Sequence, residues 1–264
     1  MKIAFSTLGC PDWIFPEIVS AAADLKYDGI EIRGIGNNVF SPDSPVFSKD
    51  NIEASASRVA SKGLEISCID TTCIVCDEKL WSIELIKKSC ETAKALNCKY
   101  IRVLGDIAPA PGNVDDENVI AALKEICAVA AGYGVTVIIE TNGVYSYSER
   151  LLKVISAVGA ENLGVLWDIQ HPYRVAGEEI SHTASALAKY VKHVHIKDSV
   201  VENGKTVYKM TGYGDLPIKE AVSALKEIGF EGALSLEWLK RWNRDLEDPG
   251  IVFAHYIRAI KAMI

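Results

Sequence analysis

Eight short apolar segments alternate with eight amphipathic segments along the 264 residues, and this alternation restricts the possible folds more than any other feature. The apolar segments are rich in β-branched residues, as buried parallel strands are. They lie at 2–6, 29–33, 64–70, 99–105, 135–141, 163–168, 191–198 and 233–238. Apolar residues spaced by three and four predict helices near 16–26, 49–62, 80–97, 116–132, 147–157, 179–189, 217–228 and 248–263. Repeated strand–helix units predict an α/β fold with a parallel sheet.

The number of units favours a closed (β/α)8 barrel, the TIM barrel, formed as a single domain by residues 1–264. Such barrels typically contain about 250 residues, and no linker or low-complexity tract divides this chain. The alternative is an open doubly wound sheet, which usually carries a glycine-rich fingerprint after its first strand. Here Gly34-Ile35-Gly36 follows the second strand and lacks a third glycine, so we interpret it as a loop.

Composition and charge exclude several classes of protein. The net charge of −7 argues against a nucleic-acid-binding surface. No apolar run approaches the roughly 18 residues of a transmembrane helix, and the first residues, MKIAFSTLGC, do not resemble a secretory signal. We therefore expect a cytoplasmic protein without nucleic-acid or membrane partners. The seven cysteines, an odd number, favour reduced thiols, and the pair Cys73 and Cys76 alone is a weak indication of a zinc or redox site.

The carboxyl ends of the strands carry the candidate functional residues, because active sites of these barrels lie at that end. Glu140 ends the fifth strand, Asp168 the sixth and Glu237 the eighth, and His195 lies near the end of the seventh. A carboxylate that follows buried apolar residues is costly unless it is paired or bound to a cation. A divalent cation held by all four side chains removes that cost for them together.

Each of these residues also has a simpler interpretation. A carboxylate such as Glu140 can pair with a lysine or arginine at the mouth of the barrel, and a lone histidine is often a hydrogen-bonded core residue. We interpret His193 in this way, since it lies one step deeper on the strand face of His195. The four residues together favour a metal site. An oxygen-rich set with one nitrogen predicts one divalent ion, with Mn²⁺ preferred over Mg²⁺, Co²⁺ or Zn²⁺.

Seven segments of the chain resemble the xylose isomerase-like superfamily of TIM barrels. They are STLGCPDW (6–13), GIEIRG (29–34), VIIETN (137–142), LWDIQHP (166–172), HVHIKD (193–198), GYGDLPIKEAVSALKEIGFEG (212–232) and LSLEW (234–238). The superfamily includes sugar phosphate isomerases and epimerases, the AP endonuclease 2 type, tagatose/psicose 3-epimerases and inosose dehydratases. The motifs are specific for the superfamily and poorly specific for the reaction.

The resemblance implies a role for each strand-end residue. Glu140, Asp168, His195 and Glu237 correspond to the residues that hold one divalent ion in the epimerases of this family. The first and last of these glutamates also serve there as the acid/base pair. His171 corresponds to a histidine that contacts the substrate.

The chain departs from the ketose 3-epimerase pattern at two positions. Ser146 stands where those enzymes carry a further glutamate, and Val201 stands where they place an arginine. Lys197 lies near the latter position and is the expected replacement for it in substrate binding. A lysine in the sequence HIKD is common in the dehydratase-like branches, so a strict tagatose/psicose epimerase is not implied.

Three further features have two interpretations each, and a fourth is a predicted helix cap. Glu31 either orients the substrate or pairs with Arg33. Trp13 either forms an apolar wall over the site or packs on the barrel rim. The segment 199–216 either closes over the substrate or forms a hairpin that turns at Asn203-Gly204. Asp215, which precedes Leu216-Pro217, is predicted to cap the next helix.

These observations lead to a metal-dependent isomerase or epimerase of a small sugar, keto-sugar or polyol. The predicted mechanism passes through a metal-stabilised cis-enediolate, with Glu140 and Glu237 as acid and base. The alternatives are an inosose-type dehydratase, a lyase that uses the same site, and a non-catalytic sugar-binding barrel. An endonuclease is disfavoured, because strands three and four lack the histidines that its three zinc ions need. A homodimer or homotetramer is compatible with the resemblance.

Overall fold

Eight of ten strands close into a parallel barrel in the computed structural model, which describes residues 1–264. The barrel strands are β1 (Lys2–Ser6), β2 (Gly29–Ile32), β3 (Glu65–Ile74), β4 (Tyr100–Leu104), β5 (Thr136–Glu140), β6 (Leu163–Asp168), β7 (Val191–Ile196) and β10 (Ala233–Leu236). Neighbouring barrel strands follow chain order, and β10 pairs with β1 to close the ring. The predicted (β/α)8 barrel is confirmed.

Eight α-helices surround the barrel, one after each barrel strand. They are α1 (Phe15–Leu25), α2 (Ile52–Ser61), α3 (Ile83–Ala95), α4 (Asp116–Ala131), α5 (Ser148–Val158), α6 (Ile180–Leu187), α7 (Ile218–Glu227) and α8 (Pro249–Lys261). Their apolar faces and the outward faces of the strands form one hydrophobic core of 65 buried residues. None of the helices combines the length and the apolar character needed to cross a bilayer.

A small apolar layer lies inside the barrel and supports the strand ends. Cys68, Ile138 and Leu166 form a buried cluster separate from the main core. Side chains two residues apart along a strand share a face. The residues two positions further along these three strands, Asp70, Glu140 and Asp168, therefore point into the barrel interior at its carboxyl end.

The segment after β7 forms an antiparallel hairpin, which confirms one of the two interpretations of this region. Strand β8 (Asp198–Glu202) pairs with β9 (Lys205–Lys209) across the turn at Asn203-Gly204. Both turn residues have positive φ angles, 52° and 74°, as a two-residue type I′ turn requires. The last barrel strand is therefore the tenth strand of the chain.

The prediction that Asp215 caps the following helix is wrong. Helix α7 begins at Ile218 with Pro217 as its cap residue. The carboxylate of Asp215 instead contacts the guanidinium of Arg174, which also donates to the carbonyl oxygen of Ser199 at 2.9 Å. Through these contacts Arg174, in the segment that follows β6, binds both the first strand of the hairpin and the segment after the hairpin.

The cysteines are unpaired thiols in the structure. Cys73 is buried in β3, and Cys76 is partly buried in the turn that follows. Burial raises the pKa of both thiols, which disfavours the thiolate form that reactive cysteines need.

Candidate active site

The four residues predicted at the strand ends are brought together at the carboxyl mouth of the barrel. Glu140 and Asp168 are the last residues of β5 and β6, His195 precedes the last residue of β7, and Glu237 directly follows β10. All four are buried. Asp168 and His195 are register partners across the β6–β7 ladder, so backbone pairing fixes their relative position.

The Nδ1 atom of His195 is the point on which the carboxylates converge. It lies 3.6 Å from Oε1 of Glu237, 3.9 Å from Oδ2 of Asp168 and 4.0 Å from Oε1 of Glu140. It is buried and has no hydrogen-bond partner. Atoms that each bind one ion at about 2.1 Å are at most about 4.2 Å apart, so the separations fit a shared cation. Two triads have ligand atoms that all lie within 4.8 Å of one another: Glu140 with His195 and Glu237, and Glu140 with Asp168 and His171. The oxygens and nitrogen of either triad can take part in holding a divalent metal ion.

Glu31 lies beneath His195 and fixes its ring. Its Oε2 accepts hydrogen bonds from Nε2 of His195 at 3.1 Å and from Nε2 of His193 at 2.6 Å. Burial opposes ionisation of this carboxyl, but the two imidazoles outweigh burial and hold its pKa well below the usual range. Because Nε2 of His195 donates to Glu31, Nδ1 is the nitrogen that faces the other carboxylates, the arrangement that metal-binding histidines use. Burial would lower the pKa of His195, but Glu31 and Glu237 raise it well above its usual value, so a metal ion at Nδ1 would displace a proton.

These contacts decide between the alternatives for Glu31 and His193. The predicted pairing of Glu31 with Arg33 is wrong, since Glu31 is fully buried and bonded to the two histidines. Glu31 is not among the residues that line the cavity above the site. The interpretation of His193 as a hydrogen-bonded residue inside the barrel is confirmed.

Lys197 connects two of the carboxylates. Its buried ammonium contacts Oδ2 of Asp168 and lies 2.5 Å from Oε2 of Glu237. Burial would raise the pKa of Glu237, but Lys197 and His195 outweigh it and lower that pKa to about 2. Burial would lower the pKa of Lys197, and the same carboxylates instead raise it above its usual range. Both groups are therefore charged at neutral pH.

Arg102 on β4 is a site residue that the sequence analysis missed. Its Nε lies 3.1 Å from Oε2 of Glu140, and its Nη2 donates to Oδ2 of Asp70 at 3.2 Å. Burial raises the pKa of Glu140 to about 7 despite the nearby guanidinium. The sequence does contain an indication of Arg102. The segment YIRVL is otherwise apolar, and a charged side chain in a buried strand needs an oppositely charged partner.

His171 lies beside the predicted ligands, in the segment after β6. Its Nδ1 is 2.8 Å from the carbonyl oxygen of Thr141, 3.8 Å from Oδ2 of Asp168 and 3.9 Å from Oε1 of Glu140. Since a carbonyl oxygen only accepts, Nδ1 carries the hydrogen and Nε2 can accept one. Burial lowers the pKa of His171, so the ring is neutral at neutral pH.

A cavity of about 220 Å³ opens above these residues. It is lined by Glu140, His171, Lys197 and Glu237 at its base, and by Arg33, Arg102, Tyr208 and Trp242 among its other walls. This volume is below the roughly 300–1,000 Å³ of pockets for drug-sized ligands, so it suits a small molecule. Trp13 does not line the cavity: it packs edge-on against Phe253 with ring centroids 5.7 Å apart. This contact agrees with the second interpretation of Trp13, packing on the barrel.

Comparison with known proteins agrees with this architecture. The model of the xylose isomerase-like TIM barrel family matches residues 19–256. The chain belongs to this family. Fructoselysine 3-epimerase of Escherichia coli O157:H7 is a relative with 24% identity, over the whole of this chain and 98% of its own length.

Two solved structures of this fold are also similar. The probable 3-DHS dehydratase AsbF of Bacillus anthracis superposes with a TM-score of 0.81 and 17% identity, covering 99% of both chains. The IolI protein, whose crystal structure contains a bound zinc atom, superposes with a TM-score of 0.77 and 22% identity over the whole chain and 96% of its own. At these identities both similarities establish the fold alone.

Proposed function

We propose that the chain is an enzyme: a divalent-metal-dependent isomerase or epimerase that acts on a small keto-sugar. The observation that carries the proposal is the unpartnered Nδ1 of His195 with three carboxylate oxygens within 4.0 Å. The epimerase named above, which aligns along the entire chain, supports the reaction class. The small cavity supports a substrate of monosaccharide size.

Glu140, Asp168, His195 and Glu237 are the proposed ligands, and Mn²⁺ is the proposed metal. Three carboxylates and one imidazole form a set of hard donors that suits Mn²⁺, with Mg²⁺, Co²⁺ or Zn²⁺ as alternatives. When bound, a divalent cation supplies positive charge that stabilises negative charge developing on substrate oxygens.

Glu140 and Glu237 are the proposed acid/base pair. In each glutamate, Oε1 faces His195 and Oε2 is paired with a basic side chain. Oε2 of Glu140 pairs with Arg102, and Oε2 of Glu237 pairs with Lys197. Their side chains are thereby fixed before a substrate arrives. One carboxylate removes a proton from the carbon beside the substrate carbonyl, and the other delivers a proton to the opposite face. His171 and Lys197 are proposed to bind substrate oxygens at the base of the cavity.

Dehydration is the second candidate function, because Lys197 lies at the base of the cavity beside Glu237. The same residues would remove the first proton, and the second step would expel a hydroxyl group instead of returning a proton. Lys197 can donate a proton to such a leaving hydroxyl.

Proton exchange in D₂O distinguishes the two reactions. The Mn²⁺-loaded protein is incubated with ketoses and with inososes, and the products are followed by NMR. An epimerase or isomerase incorporates deuterium beside the carbonyl and conserves the hydroxyl count, whereas a dehydratase forms an unsaturated product. Failure to exchange deuterium or to lose water with any member of a broad panel contradicts the proposal.

Replacing Glu31 with glutamine is expected to weaken Mn²⁺ binding by about 10- to 100-fold, as losses of groups that orient metal ligands do. The amide oxygen carries no negative charge, so it accepts the hydrogen bonds of the two histidines more weakly and holds the ring of His195 less firmly. Isothermal titration with Mn²⁺ measures the affinity. His193→Phe is the matched control, because it removes a bond to Glu31 but leaves the Glu31–His195 bond. An equal loss in both variants contradicts a specific role of Glu31.

A further inference from the structure

Three cationic side chains line the cavity with clearly different surroundings. Arg102 is paired with Asp70 and Glu140, and Lys197 is paired with Asp168 and Glu237. Arg33 makes no ion pair: the only acceptor of its side chain is the carbonyl oxygen of Val39, 3.0 Å from Nη1. The base of the cavity is therefore compensated in charge, and Arg33 is the lining cation without a carboxylate.

The guanidinium of Arg33 is held in place with donors to spare. Its backbone N–H donates to Oγ1 of Thr7 at 2.8 Å, and its guanidinium carbon lies 5.7 Å from the ring centroid of Trp242. Trp242 is 56% exposed and lines the same cavity, so this pair lies at the rim. An arginine has five side-chain N–H groups, and four of those in Arg33 have no acceptor in the protein.

A second arginine without an ion pair, Arg241, lies near the backbone of Gly34, the residue that follows Arg33. Arg241 donates from Nη1 to the carbonyl oxygen of Gly36 at 2.8 Å, and its buried Nε and Nη2 atoms have no hydrogen-bond partner. Burial and the charges of Arg102 and Arg241 outweigh the carboxylates of Asp70 and Glu237 and lower the pKa of Arg33 to about 10. Neither guanidinium is paired with a carboxylate, and Arg33, the one that lines the cavity, has free donors for an anion.

We propose that Arg33 binds an anionic substituent of the substrate, a carboxylate or a phosphate, and that the substrate is therefore an acidic keto-sugar rather than a neutral one. This proposal rests on the proposed function, which supplies the keto-sugar part of the substrate. That part would lie over Glu140 and Glu237, and the anionic group would lie at Arg33. Trp242 orients the guanidinium and forms the apolar wall beside the anion. Arg33 is thereby a specificity-determining residue at the opening of the cavity.

Binding of three related probes tests this assignment. The Mn²⁺-loaded full chain is titrated calorimetrically with D-fructose, D-fructuronate and D-fructose 6-phosphate, which differ in the charge at one end. We expect at least one anion to bind about 10- to 100-fold more tightly than D-fructose, as a charge-assisted hydrogen bond contributes. Whichever anion is preferred identifies a carboxylate or a phosphate as the recognised group.

Variants at Arg33 distinguish anion binding from a purely structural role, the hydrogen bond of Arg33 to the carbonyl oxygen of Val39. Arg33→Gln is expected to abolish the preference for the anion over D-fructose, and Arg33→Lys is expected to retain part of it. The control is Arg244→Gln, an exposed arginine paired with Asp12 outside the cavity lining, which is expected to change nothing. The assignment is overturned if neither anion binds more tightly than D-fructose, if no probe binds, or if Arg33→Gln keeps the preference. Deuterium exchange is measured separately, so an inactive protein that still prefers anions contradicts only the proposed reaction.

Discussion

Replacement of Glu140 or Glu237 by glutamine is expected to reduce turnover by at least about a thousandfold. Proton transfer by one positioned group typically contributes about 10²- to 10⁴-fold, and each of these carboxylates is also a proposed metal ligand. Glutamine has nearly the same size but does not act as a base at neutral pH. Initial rates of deuterium exchange or product formation, measured with saturating Mn²⁺, report the effect.

Glu231→Gln provides the matched control for these variants. Glu231 precedes β10 at the amino end of the barrel, whereas Glu237 follows the same strand at the carboxyl end. The same chemical change at Glu231 is expected to leave turnover intact. Circular dichroism and thermal unfolding establish that all three variants fold. Full turnover by a folded Glu140→Gln or Glu237→Gln protein would remove the acid/base assignment.

Removal and return of the metal are expected to change the stability of the protein as well as its activity. A ligand that binds only the folded state at 100 times its dissociation constant adds about 2.7 kcal/mol. Each kcal/mol shifts the melting temperature by about 2–4 °C in proteins of roughly this size. Mn²⁺ added to chelator-treated protein is therefore expected to raise the melting temperature by about 5–10 °C. Differential scanning calorimetry measures this shift without any substrate.

Asp168→Asn is expected to abolish the stabilisation by Mn²⁺. The variant removes a charged oxygen that lies 3.9 Å from Nδ1 of His195, and a neutral amide is a poor replacement for a carboxylate ligand. The matched control is Asp245→Asn, since Asp245 is exposed in the segment between β10 and α8. A melting temperature that does not respond to divalent ions in the unaltered protein, or responds equally in Asp168→Asn, would rule out the four-residue site.

The barrel was predictable because its signal is repeated and does not depend on any single contact. Each strand is buried on both faces, so it stands out as a short β-branched run, and the predicted segments overlap all eight barrel strands. The convergence of the strand-end residues was predictable for the same reason: parallel strands place their carboxyl ends at one mouth. The predicted and observed barrel strands differ only in their end residues. The largest difference is at β3, which was predicted to end at residue 70 and extends to Ile74 across a register shift after Asp70.

Side-chain partners were less predictable, since they depend on register and on loop paths that no local pattern encodes. Arg102 reaches Glu140 and Asp70 only because β4 lies between β3 and β5 with a particular alignment. Trp13 and Trp242 have similar sequence signals as aromatic residues in loops, yet the second lines the cavity and the first does not. Glu31 was expected to orient the substrate or to pair with Arg33, and the sequence carried no sign of the two histidines that it bonds to inside the barrel.

The pairing of Asp168 with His195 across neighbouring strands has an evolutionary consequence. Donors set by the backbone ladder keep their spacing when surface segments gain or lose residues, whereas Arg33, Tyr208 and Trp242 lie outside the barrel ladder. After gene duplication, one copy can acquire a new substrate through changes in those outer segments while its reaction chemistry is inherited intact. Among related enzymes, the residues at the strand ends should therefore correlate with the type of reaction. The residues at the rim should correlate with the substrate.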